Sequence, residues 1–242
     1  GTKFSQTEYT GLQNQEKASL ATSFDFEGNI LTKTSYIYNV SGALDKAVTR
    51  NEAGTKLSET QYQGLQNQEK ASLTTSFDFE GNILAKTTYI YDASGALDKA
   101  VTRNEAGTKL SETEYTGLTN QEKVSLATSF DLEGNILAKT TYIYDASGAL
   151  DKAVTRNEAG TKLSETEYTG LTNQEKVSLA TSFDLEGNIL TKTSYIYNAS
   201  GALDKAVTRN EAGTKLSETQ YQGLQNQEKA SLTTSFDLEG NI

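Results

Sequence analysis

Polar and apolar residues alternate along most of the chain. From Leu137 to Tyr144, Ala138, Thr140, Tyr142 and Tyr144 fall on one side of an extended backbone. Leu137, Lys139, Thr141 and Ile143 fall on the other. Successive strand side chains point to opposite faces, so this period of two predicts a β-strand. The alternation recurs with Asp151, Ala153 and Thr155 against Leu150, Lys152, Val154 and Arg156. It recurs again with Ser111, Thr113 and Tyr115 against Leu110, Glu112 and Glu114, and with Ser125, Ala127 and Ser129 against Val124, Leu126, Thr128 and Phe130. Thr, Val, Ile, Tyr and Phe, the residues that suit a pleated surface, fill these runs. Helical periodicity is not sustained anywhere. One predicted face is small, hydroxylated or Tyr, and neither face is strongly apolar, so pattern alone specifies register weakly.

Turn chemistry separates the runs. Asp145-Ala-Ser-Gly148, Asn157-Glu-Ala-Gly160 and Asp131-Leu-Glu-Gly134 share Asp or Asn in first place and Gly in fourth. This predicts a type I turn, in which the first side chain accepts from a backbone N–H two residues on and Gly takes the left-handed conformation that follows. Such a loop joins antiparallel strands. The junction over Gly117–Lys123 lacks the form and is longer, and it is expected to be a looser turn or one helical turn.

These elements repeat. Gly-Thr-Lys begins at Gly1, Gly54, Gly107, Gly160 and Gly213, a period of 53 residues. The predicted organisation is residues 1–53, 54–106, 107–159 and 160–212 as whole repeats and 213–242 as a partial fifth, in one continuous array. The unit beginning at Gly107 differs from that at Gly160 only as Ala138/Thr191, Thr141/Ser194 and Asp145/Asn198. Within a unit, four segments open at Leu137, Leu150, Leu163 and Val177, each a strand and a turn of about 13 residues. The expected fold is all-β: tandem antiparallel β-hairpins wound into a coiled sheet, spiral or solenoid, with about four strands per repeat. An open sheet of this many strands curls rather than lying flat, and the small Ser/Thr/Ala face suits the tighter side of such a curl. Beginning and ending inside a repeat, the chain is expected to be a fragment of a longer protein.

Composition narrows the functions. Hydrophobic residues make up 35%, too few for a conventional two-layer core, while 13 Tyr, 8 Phe and the regular spacing speak against disorder. Cys, His, Met, Trp and Pro are absent, which removes disulfides, thiolate nucleophiles, soft-metal ligands and the commonest general base. The net charge of −10 and the lack of any basic run argue against nucleic acid and anionic membrane partners. No apolar stretch reaches the ~18 residues of a spanning helix, and membrane insertion is not expected.

Candidate chemistry is thin. Asp131-Leu-Glu133-Gly134-Asn135 could offer oxygens to a hard cation, but EF-hand spacing is lacking, and an Asx hydrogen bond explains the residues more simply. The pair Tyr142/Tyr144 could form an aromatic strip for glycans, against ordinary cross-strand packing. Asn39-Val-Ser41 and Asn198-Ala-Ser200 fit the glycosylation pattern, and also an Asx turn. Carboxylates are plentiful but sit at turns, and near-identical repeats lack the asymmetry of a single active site. No catalytic, cofactor-binding or metal-ligating residue and no cofactor is therefore expected, and the chain is expected not to be an enzyme.

Tyr142-Ile-Tyr144-Asp145-Ala-Ser-Gly148-Ala-Leu150 resembles the core of the tyrosine–aspartate, RHS-type repeats of bacterial surface and toxin proteins. It recurs at Tyr89 to Leu97, and with Asn39 or Asn198 replacing Asp in the copies at Tyr36 and Tyr195. The resemblance implies β-hairpins winding into a spiral shell and an extracellular or cell-surface location. Ala149 stands where that family commonly has Arg, and the self-cleaving end domain has no counterpart here. Two roles follow as expectations. One is a structural stalk, fibre or shell segment of a larger bacterial surface or secreted protein, whose partners are neighbouring repeats. The other is a multivalent, adhesin-like module for a glycan or protein ligand.

Overall fold

The computed structural model describes residues 4–13 and 15–242. Eighteen β-strands and no helix occur among them. They divide between two compact units, one of residues 1–123 with 130–134 and one of residues 124–129 with 135–242. The first unit holds β1 (Ser5–Thr10), β2 (Lys17–Phe24), β3 (Ile30–Tyr38), β4 (Leu44–Arg50), β5 (Lys56–Gln63), β6 (Lys70–Phe77), β7 (Ile83–Tyr91), β8 (Leu97–Arg103) and β9 (Lys109–Thr116). The second holds most of β10 (Lys123–Phe130), then β11 (Ile136–Tyr144), β12 (Leu150–Arg156), β13 (Lys162–Thr169), β14 (Lys176–Phe183), β15 (Ile189–Tyr197), β16 (Leu203–Arg209), β17 (Lys215–Gln222) and β18 (Lys229–Ser235).

Each unit is an antiparallel meander. Strands pair in sequence order from β1 to β9 and from β11 to β18. The expected class, all-β tandem hairpins with four strands per repeat, is the one observed.

Alternation settles the faces. On β11 the residues Ala138, Thr140, Tyr142 and Tyr144 are half-buried and Leu137, Lys139, Thr141 and Ile143 are exposed, as expected. Thr140 lies opposite Thr155, and their hydroxyls hydrogen-bond at 2.8 Å. Equivalent bonds join Thr34 to Thr49 at 2.9 Å and Thr87 to Thr102 at 2.8 Å. No large side chain is fully buried among the described residues. The buried apolar positions are small: Ala47 and Val48 in the first repeat, Val101 in the second, Val154 in the third, Ala206 and Val207 in the fourth, and Ala43 with its equivalents in the turns. Stability therefore rests on cross-strand pairs rather than on a central core.

One feature of the pairing departs from strict alternation. Every hairpin carries a β-bulge, one extra residue on one strand. Tyr144 pairs with Leu150 while Ile143 pairs with Lys152, so Asp151 is the extra residue. Tyr168 pairs with Val177 and Glu167 with Leu179, leaving Ser178 over. Direct opposition places Leu150 and Val177 on the Tyr face. Both were expected on the Leu/Lys face, and the bulge is what transfers them.

Candidate functional site

The turns with Asx first and Gly fourth form as their residues predict. In the turn after β11, Gly148 N donates to Asp145 O at 3.0 Å and Asp145 N to Ala149 O at 2.9 Å. The Asp145 carboxylate accepts from Ser147 N (2.8 Å), Ala149 N (2.9 Å) and Ser147 Oγ (2.7 Å). Gly148 has φ +84°, the left-handed region that favours glycine. These bonds hold the Asp145 and Asp92 carboxyls below the usual range, the serine hydroxyl of each turn contributing most.

The other acidic turn uses its oxygens in the same way. Asp78 Oδ1 accepts from Glu80 N (2.9 Å) and Asn82 N (2.8 Å), and Oδ2 accepts from Asn82 Nδ2 (2.9 Å). The Asn82 side chain is the main cause of the lowered Asp78 pKa. Among the described residues no group of three or more His, Cys, Asp or Glu is placed to hold a metal ion. Asn39 likewise spends its side-chain oxygen on Ser41 N (3.0 Å), Ser41 Oγ (2.7 Å) and Ala43 N (3.0 Å).

The junction missing that turn signature is the most elaborated place in the repeat. Around Gly117–Lys123 the backbone makes a turn closed by Gln121 N donating to Leu118 O at 2.8 Å, with Asn120 at φ +65°. Positive φ at the third position marks a type II turn, not the helical turn that was the alternative expectation. Asn was the signal, because its short polar side chain tolerates the left-handed region. Gly117, at φ +123°, brings its backbone close to Gln121: a Cβ there would lie 2.6 Å from Gln121 O.

Antiparallel pairing brings each such junction to the same end of the strands as the Asx turn of the 39–43 kind, and the two interlock. In the first unit, Lys17 at the start of β2 donates through Nζ to Gly42 O and stands 5.0 Å over the Tyr38 ring. Tyr38 OH donates to Ala18 O at 2.9 Å. From the other side, Glu69 of the following junction accepts at Oε1 from Leu44 N, 2.8 Å away. The Asx turn 39–43 is thus gripped between two junctions 53 residues apart.

The same parts recur. Lys70 meets Gly95 O and the Tyr91 ring, Tyr91 OH donates to Ala71 O at 2.8 Å, and Glu122 accepts from Leu97 N at 3.0 Å. In the second unit Lys176, Tyr197 and Glu228 take the corresponding places. The bond from the Leu N–H is the main reason the carboxyls of Glu69, Glu122 and Glu228 lie below their ordinary range. Burial pushes the phenols of Tyr38 and Tyr91 upward.

The grip explains Ala149. That residue is 2% exposed, as Ala96 is, and Ala43 and Ala202 are buried to the same degree. A longer side chain has no room there.

Shallow clefts lie beside three of the grips. The first is about 890 Å³ and is lined in part by Leu12, Gln15, Tyr38, Ser41 and Gln66. Its counterparts beside Tyr91 and beside Tyr197 are about 460 Å³ each. Of the paired tyrosines, the second is committed to the grip. No buried side-chain nitrogen or oxygen lacks a hydrogen-bond partner among the described residues. The arrangement is a set of polar locks between adjacent hairpins.

No protein-family model and no curated protein matches the chain. Solved structures resemble it only distantly. The crystal structure of TcdB2-TccC3 aligns over 97% of this chain at 16% identity and a TM-score of 0.33. A porin-like protein from Bacteroides uniformis ATCC 8492 aligns over 95% at 12% identity and a TM-score of 0.27. This chain spans 17% of the TcdB2-TccC3 chain and 93% of the porin-like one.

Proposed function

We propose that the chain is a non-enzymatic structural segment, a stalk, fibre or shell wall of a larger surface or secreted protein, whose number of repeats sets its dimension. The supporting observation is the recurrent grip on the Asx turn of the 39–43 kind. Its lysine, tyrosine and glutamate are spent on backbone groups of adjacent hairpins, a use that builds a scaffold rather than a reaction centre. The strand-to-strand contacts run between strands consecutive in the chain, so adding a repeat adds one more set of the same interfaces. Four strands add on the order of 19 Å in the hydrogen-bonding direction.

Small-angle X-ray scattering on chains of two, three and four repeats tests this reading. A maximum dimension that grows by a constant step per repeat supports it, and one that stays fixed defeats it.

A further inference from the structure

The exposed face carries a charge arrangement that the sheet does not need. Lys33 on β3 stands directly opposite Arg50 on β4. The pairing recurs as Lys86 with Arg103, Lys139 with Arg156 and Lys192 with Arg209, and all eight side chains are exposed. Like charges directly opposite one another on an antiparallel pair repel. Among the described residues none of the eight makes an ion pair. The ion pairs of this face join Lys46 and Lys56 to Glu59, at 2.9 and 2.8 Å, and bypass Lys33 and Arg50. Arg50 donates once, to Gly54 O at 3.0 Å, which leaves most of its five N–H donors unused. Among the strand residues of this face, Lys33, Lys46, Arg50 and Lys56 exceed Glu59 by three positive charges, and Lys86, Lys99, Arg103 and Lys109 exceed Glu112 and Glu114 by two, in a chain whose net charge is −10.

We propose that this face binds an acidic polysaccharide, one anionic group of the polymer seated at each Lys–Arg pair. A guanidinium fork fits a carboxylate or sulfate with two parallel hydrogen bonds, and the neighbouring ammonium adds a point charge. Within a unit, equivalent pairs lie four strands apart, roughly 19 Å. That exceeds the screening length of ~8 Å at physiological salt, so neighbouring pairs act as separate sites. Polygalacturonate, with one carboxylate per sugar, is charged less densely than a nucleic acid duplex and can seat a single carboxylate at each pair. Duplex nucleic acid, with one charge per ~1.7 Å, would also lie over the carboxylates between them. Leu31 and Ile37 flank Lys33 on the same face at 52% and 46% exposure and offer apolar surface to the C–H sides of sugar rings. Each contact is weak alone, and the two pairs of each unit gain by multivalency.

The test is a titration of the whole chain with polygalacturonate at low and moderate salt, beside neutral dextran and duplex DNA. Polygalacturonate is expected to bind, more weakly as salt rises, with dextran inert and DNA weaker. Replacing the four Lys33-type and four Arg50-type residues with Gln should lower the affinity at least about tenfold. That variant removes repulsion, so circular dichroism should show an intact sheet. The charge-preserving set R50K, R103K, R156K and R209K separates the fork from net charge, and it should bind several-fold more weakly than the parent. Equal binding by parent and both variants overturns the proposal, as does equal binding of dextran. Tighter binding of DNA than of polygalacturonate assigns the face to another class of partner and overturns it too.

Discussion

Replacing Tyr91 with Phe deletes one oxygen and one hydrogen bond, and it isolates a single component of the grip. The hydroxyl donates to Ala71 O at 2.8 Å in a half-buried setting, and the ring remains for Lys70 to cover at 5.1 Å. A neutral hydrogen bond of this kind contributes about 1 kcal/mol net. Tyr38, Tyr144 and Tyr197 make the same bond at 2.9, 2.8 and 2.8 Å. Distant sites add, so the fourfold Tyr→Phe chain should lose about 4 kcal/mol. Tyr36 is the internal control: its hydroxyl has no protein partner among the described residues, and Y36F should change stability by less than ~0.5 kcal/mol. Urea unfolding followed by far-UV circular dichroism reads both, as a lower midpoint at unchanged slope. A fourfold variant as stable as the parent, or Y36F as costly as Y91F, would refute the claim that these hydroxyls tie adjacent strands together.

Three further perturbations follow. Gly64→Ala places a Cβ 2.7 Å from Gln68 O at φ +119°, and it should cost more than about 1 kcal/mol in the same unfolding assay. Ala149→Arg forces a long side chain into a position 2% exposed and should cost about 1–3 kcal/mol. The Glu59 carboxyl is held down to about 2 by Lys56 and then Lys46, and Glu218 is held to about 2 by Lys215 and Lys205. A lowered folded-state pKa stabilises fully above the unfolded value and is lost as pH falls. Unfolding midpoints should therefore hold near neutrality and drop between about pH 4.5 and pH 2. Glu59→Gln with Glu218→Gln should flatten that drop.

Much of the local structure was legible in the residues. The first-place Asx and fourth-place Gly of Asp145–Gly148 foretold the turn and its capping bonds, because both effects act within five residues. The faces of β11 were equally plain from period two. The bulges were not legible: whether Leu150 opposes Tyr144 or slips by one depends on a partner strand that neither face is apolar enough to specify. The junction was marked as the odd place in the repeat, but its work was hidden. Lys17 to Gly42 and Leu44 to Glu69 join residues 25 apart, and no periodicity records contacts at that range. The Lys33–Arg50 opposition was hidden for the same reason, since it exists only once the register of β3 on β4 is fixed.

One recurrent set of interlocks fastens each repeat to its neighbours. Equilibrium unfolding of chains with two, three and four repeats measures that fastening. Stability should rise by the same increment with each added repeat, and the increment should shrink equally at every step when the grip lysines are replaced with Met. Stability independent of repeat number, or a lysine effect confined to one repeat, would contradict it.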